Sequence, residues 1–531
     1  MISLKLPSPL LIAAAITTIL IIHILHKYFV RPYFLLQRYK KYKGGLCIYR
    51  PLVGTIREIK TSEKKYGDAA YDMKKRVTDN PSLRFVASTV LDTTIVTLHD
   101  NDLIKEYLNK ETLVSVKFTG ILGLLPEFAK HSLVFSEGEK WKRLRKLLSQ
   151  VFHFDYMNNS LPTIRKTAQE WIERNCKSSS SSPRLVNVSK ELKMYTSTVI
   201  WRIFFGENSF TGNDDAAPIV EMLLGHIKTA RDLSFSVRNF IFGARIFKLG
   251  LRPIERRFMK NQKIIKDLFF AKLNQLKEEV NEKKKLHLQT EAANVNNFQA
   301  KPSEASKPAF RNLIELLLEQ SDRLSDIEIV SQVFVFFLAG TEATSELLAI
   351  SHYLLTTHPD VQAKLREEIL THIEKTENIT YEHISKMEYL NAVVKEALRI
   401  GAPAINVNFR IATQDFMLHE IEIKKGTVIT ASLIGAAYNP KFFSNPEEFR
   451  PERWIEKVDH GTIETSTHLP FSAGSRRCIG EQLALLEAKV MLCELVRQFK
   501  LELKTPYKLR MPIGITYHAE PPVHVIYTPI A

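Results

Sequence analysis

Cysteine is scarce in this chain, with four in 531 residues, at positions 47, 176, 478 and 493. So few, so widely spaced, exclude a disulfide framework and a Cys-x-x-Cys zinc site. Acidic residues are also outnumbered, 58 against 74 Lys and Arg, which leaves a net charge of +16. That surplus implies an anionic partner: an acidic membrane, an acidic protein or nucleic acid. No Gly/Ser-rich or Pro-rich linker divides the chain and no internal repeat is present, so a string of flexibly joined modules and a solenoid are both excluded. What remains, at 45% hydrophobic and 25% charged residues, is ordinary globular composition with a large core to bury.

The longest apolar run is Pro9 to Val30, PLLIAAAITTILIIHILHKYFV, close to the ~20 residues a helix needs to cross a bilayer. A cleaved signal peptide is the competing reading. The run is long for one, only Lys5 precedes it, and no small-residue cleavage site follows. Lys27, Arg31, Arg38, Lys40, Lys41, Lys43 and Arg50 come next with no acidic residue among them, so the positive-inside rule sets the body of the protein in the cytosol. The cysteines are then expected to be reduced and the sequons at Asn158, Asn187 and Asn378 unglycosylated. The expected organisation is an anchor over 1–30, a basic linker over 31–50 and one catalytic domain over 51–531.

Gly44-Gly45 and Pro51 mark a turn-rich hinge after the anchor. SLRFVAS and TTIVTLHD read as strands, and a second β-rich piece lies near residues 405 to 435. Between and beyond them, apolar residues three and four apart predict helix from Asp102 to Phe499. The fold class is therefore mainly α with small β-sheets. From Phe235 to Phe258, aromatics and aliphatics alternate with arginine. Membrane contact through Phe240, Ile241 and Phe242 is the expectation there, against core packing or nucleic-acid binding. Residues 280 to 308 are polar and read as a surface loop.

Chemistry concentrates in FSAGSRRCIG, Phe471 to Gly480, where Cys478 sits in a glycine-punctuated loop running into an apolar helical segment. Backbone N–H groups and the dipole at a helix start favour thiolate, and a thiolate so held suits axial ligation of haem iron. Upstream, Trp141 and Arg145 lie four apart on one helix face, where an indole N–H and a guanidinium can grip a carboxylate pair. IEIVSQVFVFFLAGTEATSELLAISHYLL reads as a core-crossing helix with Gly340 and Thr341 at its middle. A glycine there costs roughly 1 kcal/mol against alanine, which calls for a reason such as the close approach of a flat ligand or a bulge that seats water. Glu396 and Arg399 are spaced as a helical ion pair.

Together these stretches resemble the cytochrome P450 family. Phe471, Gly474, Arg476, Cys478 and Gly480 match its haem-binding signature F-x-x-G-x-R-x-C-x-G; Trp141 and Arg145 match W-x-x-x-R; Glu396 and Arg399 match E-x-x-R, with Pro451 to Trp454 as the P-E-R-W element; Pro403 and Arg410 match P-x(6)-R. Ala339, Gly340, Glu342 and Thr344 match the oxygen-activation motif A/G-G-x-D/E-T-T/S. The resemblance implies the helix-rich haem-thiolate fold and a non-covalent haem b with Cys478 as metal ligand, since no Cys-x-x-Cys-His run exists for covalent attachment. It also implies propionates neutralised by Trp141, Arg145, Arg410 and Arg476, and a structural cluster of Glu396, Arg399 and Arg453. Lys142, Arg143 and Lys146 would form a positive patch on the thiolate side.

Substrate would meet Phe336, Phe337, Ala343, Ala404, Ile405, Asn406 and Tyr517, with Phe334, Val407 and Ile515 as further candidates. The implied activity is that of an endoplasmic-reticulum monooxygenase acting on a lipophilic small molecule, a lipid, sterol, fatty acid or xenobiotic. Its electrons would come from NADPH-cytochrome P450 reductase, with cytochrome b5 a second candidate donor.

One position departs from the pattern: Ala343 stands where the family usually has threonine, whose hydroxyl helps pass protons to iron-bound dioxygen. Thr344, Thr341, an ordered water or a substrate hydroxyl would then substitute. The same gap motivates two rivals: a haem-thiolate isomerase or dehydratase needing no reductase, and a non-catalytic haem-binding membrane protein.

Overall fold

The computed structural model describes residues 9–118, 126–152, 154–177, 182–206, 213–234, 236, 238, 243–295, 313–319, 324–374, 377–456, 467–506, 508–512 and 516–530. These form a mainly helical body with three small sheets. Its spine is the core helix Asp326–Thr357, which starts at a capping box between Ser325 and Glu328 and is apolar on nearly every side. A helix apolar all round must be buried all round. Accordingly the helices Val188–Phe205, Glu388–Gly401 and Glu481–Val496 pack against it within one main core.

The largest sheet has six strands in the order β1-β2-β3-β9-β6-β4: β1 Gly45–Ile48, β2 Phe85–Val90, β3 Thr93–Leu98, β4 Ser115–Lys117, β6 Asn406–Ala412 and β9 Val428–Ser432. β2 and β3 are the two runs predicted to be strands, paired antiparallel from Phe85↔Leu98 to Val90↔Thr93. The two β-rich regions form one sheet, because β3 runs parallel to β9 from Ile95↔Val428. β5 Arg184–Asn187, β10 Phe499–Leu503 and β11 His524–Pro529 make a second sheet, and β7 Phe416–Leu418 with β8 Ile421–Ile423 a third.

The helix Pro9–Leu25 exposes its apolar side chains along its length and continues through a π-turn, His26–Val30, into Arg31–Gln37. The stretch read as a basic linker is thus ordered onto the body. Pro32, Leu36 and Tyr39 are buried, β1 pairs with β2, and Lys27 reaches Asp92 at 3.6 Å. A second difference concerns residues 280 to 308, read as a loop. Positions 280–295 continue the helix Pro253–Val295, in which Leu276 is the last fully buried apolar side chain among the described ones; 296–308 lie outside the described residues. Phe240, Ile241 and Phe242 also lie outside the described residues.

Beneath the chain leading to the cysteine loop, the Glu396 carboxylate accepts from Arg399 Nε and Nη2 at 2.9 and 2.8 Å, Arg453 Nε at 2.9 Å, Trp454 Nε1 at 2.9 Å and the Arg450 N–H at 3.1 Å. Arg399 spends its remaining donors on the carbonyls of Ala437, Pro446 and Glu448. All three charged groups are buried. Removing the carboxylate leaves two guanidiniums without their counter-charge, which costs about 3–5 kcal/mol. Glu396→Ala is therefore expected to lower unfolding free energy by about that amount, read from urea denaturation; a loss under about 1 kcal/mol would refute the account.

Candidate active site

Phe471 to Gly480 forms a tight loop closed by the Cys478 N–H donating to the Phe471 carbonyl at 3.0 Å. Gly474 has φ +69°, and a Cβ there would stand 2.2 Å from the Leu108 carbonyl oxygen, so glycine is required on both counts. Cys478 lies three residues before the helix Glu481–Val496, and the N–H groups of Gly480 and Glu481 stabilise charge on its sulfur, as does Arg145. Even so, in the metal-free chain the thiol titrates above its usual value, because burial outweighs those donors and the Glu481 carboxylate adds to it. The helix start thus moderates the cost of charging the sulfur in the metal-free chain without reversing it. The residue is nonetheless exposed at the surface.

Beside this loop the β4–β6 register sets Lys117 opposite Arg410, two cations on facing positions. Such a pair is unfavourable without an anion between. Glu137, at the start of the helix Gly138–Val151, supplies it. Its Oε2 accepts from Arg410 Nη2 at 3.0 Å and Arg476 Nη2 at 2.7 Å, while Oε1 takes the Lys117 N–H at 3.1 Å. Arg410 also holds Ser115 Oγ and carbonyl, and Arg476 the Ser136 carbonyl. The Arg476 guanidinium lies 4.1 Å from the Trp141 ring centroid.

Positive charge is still in excess here. Arg476 Nε is buried without a partner, and Lys117 is pushed down to about 7, by burial first and then by Arg476. The other carboxyl nearby, Glu111, is buried with both oxygens unpartnered, and burial raises it to about 7, so near neutral pH it is only partly ionised. A cation surplus of this kind fits an anionic group. The patch expected on this side is partly matched internally, with Lys142 on Glu139 and Arg143 on Glu328, each at 2.7 Å.

The other wall is the core helix. Within its buried middle, Ala339 is exposed and Leu338, Gly340, Glu342 and Ala343 are half-buried, so the helix opens there. Gly340 does not serve that opening: the helix is unbroken, and a Cβ at 340 would meet Ile200 Cδ1 at 2.9 Å, so the glycine lets two helices approach. Neither a ligand-facing gap nor a water-seating bulge explains it. Glu342 is paired, with Oε1 3.5 Å from Lys193 Nζ and Oε2 accepting from Thr516 Oγ1 at 3.4 Å; Glu346 shares the same lysine at 3.1 Å. Thr344 is buried, and Thr341 Oγ1 is buried without a partner.

Several expected substrate contacts lie elsewhere. Phe337 is in an aromatic cluster with Trp201 and Phe269, and Phe334 packs on Phe128 and Phe269; apolar rings at those helical positions face neighbouring helices. Phe336, packed on Phe152 and Phe204, lies three residues from Ala339, on the same side of the helix. Tyr517 is fully buried, its hydroxyl tied to Asp68 and Lys74 and its N–H to Pro403, so it fastens the C-terminal segment and lines no opening. Ile405 is buried in the main core, Ala404 half-buried, and Asn406 keeps its Oδ1 without a partner; the side chain of Val407, and all of Ile515, fall outside the described residues. Glu137, Lys117, Glu111 and Lys193 were not singled out from sequence, because strand register and helix packing bring them in.

An accessible thiol at a helix start, a cation surplus beside it and an opened apolar helix define a haem-thiolate site. The sequence profile described as Cytochrome P450 matches residues 50–523. Among similar proteins, cytochrome P450 3A13 of Mus musculus is 31% identical over 429 residues, and cytochrome P450 3A5 of Homo sapiens 31% over 424, each alignment covering 78% of this chain and 79% of the relative. Cytochrome P450 3A9 of Rattus norvegicus is 30% identical over 426 residues at the same coverage. The chain belongs to the cytochrome P450 family: it is a haem b oxidoreductase that incorporates molecular oxygen.

The two shifted groups give separate pH windows in haem-free protein. Glu111 is raised from 4.5 to about 7, so across that range the folded chain keeps a proton the unfolded chain has released, and stability falls as pH rises. Lys117 is lowered from 10.5 to about 7, so above about 7 the unfolded chain binds the extra proton and stability rises with pH. Glu111→Gln should flatten the first slope and Lys117→Met the second, in urea midpoints measured against pH. Unchanged slopes would contradict the assignment.

Proposed function

We propose that this chain is a membrane-anchored monooxygenase of the endoplasmic reticulum with its catalytic domain in the cytosol, and that Cys478 is the axial ligand of its haem. It hydroxylates a lipophilic small molecule, RH + O2 + NADPH + H⁺ giving ROH + H2O + NADP⁺, with electrons passed from NADPH through cytochrome P450 reductase and cytochrome b5 as a second candidate donor. The observation that carries the reading is the meeting of an accessible Cys478 with the surplus of cations at Lys117, Arg410 and Arg476.

When bound, haem supplies dioxygen binding and O–O cleavage, which thiolate donation favours. The protein's share is positioning. The N–H groups of Gly480 and Glu481 hold charge on the Cys478 sulfur. Arg410, Arg476, Lys117 and Trp141, with Arg145 nearby, would hold and neutralise the propionates, and Glu137 keeps the two arginines in place. Leu338, Ala339, Ala343 and Ala404 offer small apolar surface to the substrate, which favours lipophilic ligands. Glu342, held by Lys193 and Thr516, is the acid of the mid-helix motif and relays protons toward that opening. Because Ala343 has no hydroxyl, the final transfer passes through water or through the substrate.

Two measurements bear on this. The reduced carbon-monoxide difference spectrum should show the red-shifted thiolate band, and Cys478→Ala should abolish it; persistence of the band would refute the ligand assignment. Ala343→Thr should raise the share of NADPH that ends in product rather than peroxide, about twofold or more. No change in that share would mean the missing hydroxyl is already replaced.

A further inference from the structure

Outside the active site, the structure holds a cleft of about 440 Å³ lined by Arg38, Tyr39, Lys41, Tyr42, Glu422 and Lys424. We propose that it binds the phosphate of an anionic phospholipid in the leaflet from which the first helix emerges. The proposal rests on the reading of that helix as membrane-spanning.

Position is the first ground. Apolar side chains stand out from the helix from Leu10 to Phe34, which is 63% exposed. Arg38 comes one turn later, about 6 Å along the axis, at headgroup depth. The opposite face of the same segment is fixed to the protein body: Tyr49 Oη donates to the Phe29 carbonyl at 2.6 Å, Lys27 pairs with Asp92, and Leu36 and Tyr39 are buried. The cleft therefore stays at a set depth relative to the anchor.

Charge is the second. Lys424 is taken by Asp415 at 2.8 Å and by Glu422 at 2.6 Å, and the Asp415 carboxylate also receives the Lys425 N–H. Arg38 and Lys41 form no ion pair among the described residues; Lys41 lies over the Tyr42 ring at 5.0 Å. Three cations against two carboxylates leave one positive charge, which a phosphodiester balances. The Tyr42 oxygen accepts the Glu422 N–H at 3.1 Å, leaving its own proton to donate to a phosphate oxygen. Lys40 and Lys43 are exposed on the same stretch and add only diffuse attraction.

The test uses the full-length holoprotein in phosphatidylcholine nanodiscs carrying a minor share of phosphatidylserine, with co-released lipid counted by native mass spectrometry. Arg38→Ala with Lys41→Ala should reduce retained phosphatidylserine about tenfold or more, and Tyr42→Phe should reduce it by a smaller factor. Lys40→Ala with Lys43→Ala removes the same net charge and should change it less than about twofold. Equal losses from the two double variants would overturn the site in favour of diffuse attraction. Displacement of the lipid by equimolar inorganic phosphate would assign the cleft to a soluble anion instead. Alkaline-carbonate extraction of the same protein reports on the anchor separately: release would defeat the membrane-spanning reading, and the lipid site with it.

Discussion

The active site depends on a repulsion that the fold imposes and then relieves. Antiparallel pairing of β4 with β6 places Lys117 across from Arg410, and the cysteine loop brings Arg476 to the same spot. Glu137 is the counter-charge that makes this tolerable, since one of its oxygens is shared by both guanidiniums. It is not sufficient, as the lowered Lys117 shows. A folded chain that keeps its cations under-neutralised has stored binding energy for an anion. An anionic ligand bound there would draw on it. The buried carboxyl at Glu111 fits the same logic: with burial raising it to about 7, it carries only part of a negative charge near neutral pH.

What was legible in the sequence follows from how local each signal is. The cysteine loop, the Trp141–Arg145 face and the Glu396–Arg399 pair are set by spacing within one turn or one helix, and each takes the form its spacing implies. Strands β2 and β3 were readable for the same reason. The joining of β3 to β9 was not, because it brings together residues more than three hundred positions apart. Residues 280 to 295 misled by composition: a polar helix extending past the core has the make-up of a loop, and only its hydrogen-bonded ladder distinguishes it. Cys478 was legible in part. Donors at a helix start were visible in the sequence, but the burial that outweighs them is a property of the assembled fold.

The core helix separates two roles that one motif had merged. Gly340 answers to the neighbouring helix through Ile200, whereas the opening belongs to Ala339 and, one turn on, Ala343. These two lie on one face, so the alanine that lacks the usual hydroxyl sits where a hydroxyl would be of use. Glu342, three residues on from Ala339, borders that face and is held by Lys193, which also holds the buried Glu346. Burial raises Glu346 despite that lysine. An acid with a fixed counter-ion keeps its orientation when the cleft fills, which a mobile surface glutamate would not.

The same sheet serves the anchor and the active site. The segment after the first helix buries Leu36 and Tyr39 with Phe85 of β2, and the sheet continues from β1 through β2, β3 and β9 to β6, whose pairing with β9 shifts register just before Arg410. A twisted sheet bound edge to edge transmits orientation well, because tilting one strand breaks ladder bonds along its neighbours. The direction in which the first helix leaves the body is thus coupled to the plane in which Arg410 holds its anion. A flexible tether would let the cleft sample every orientation toward a bilayer; a helix ordered into the sheet selects a narrow range.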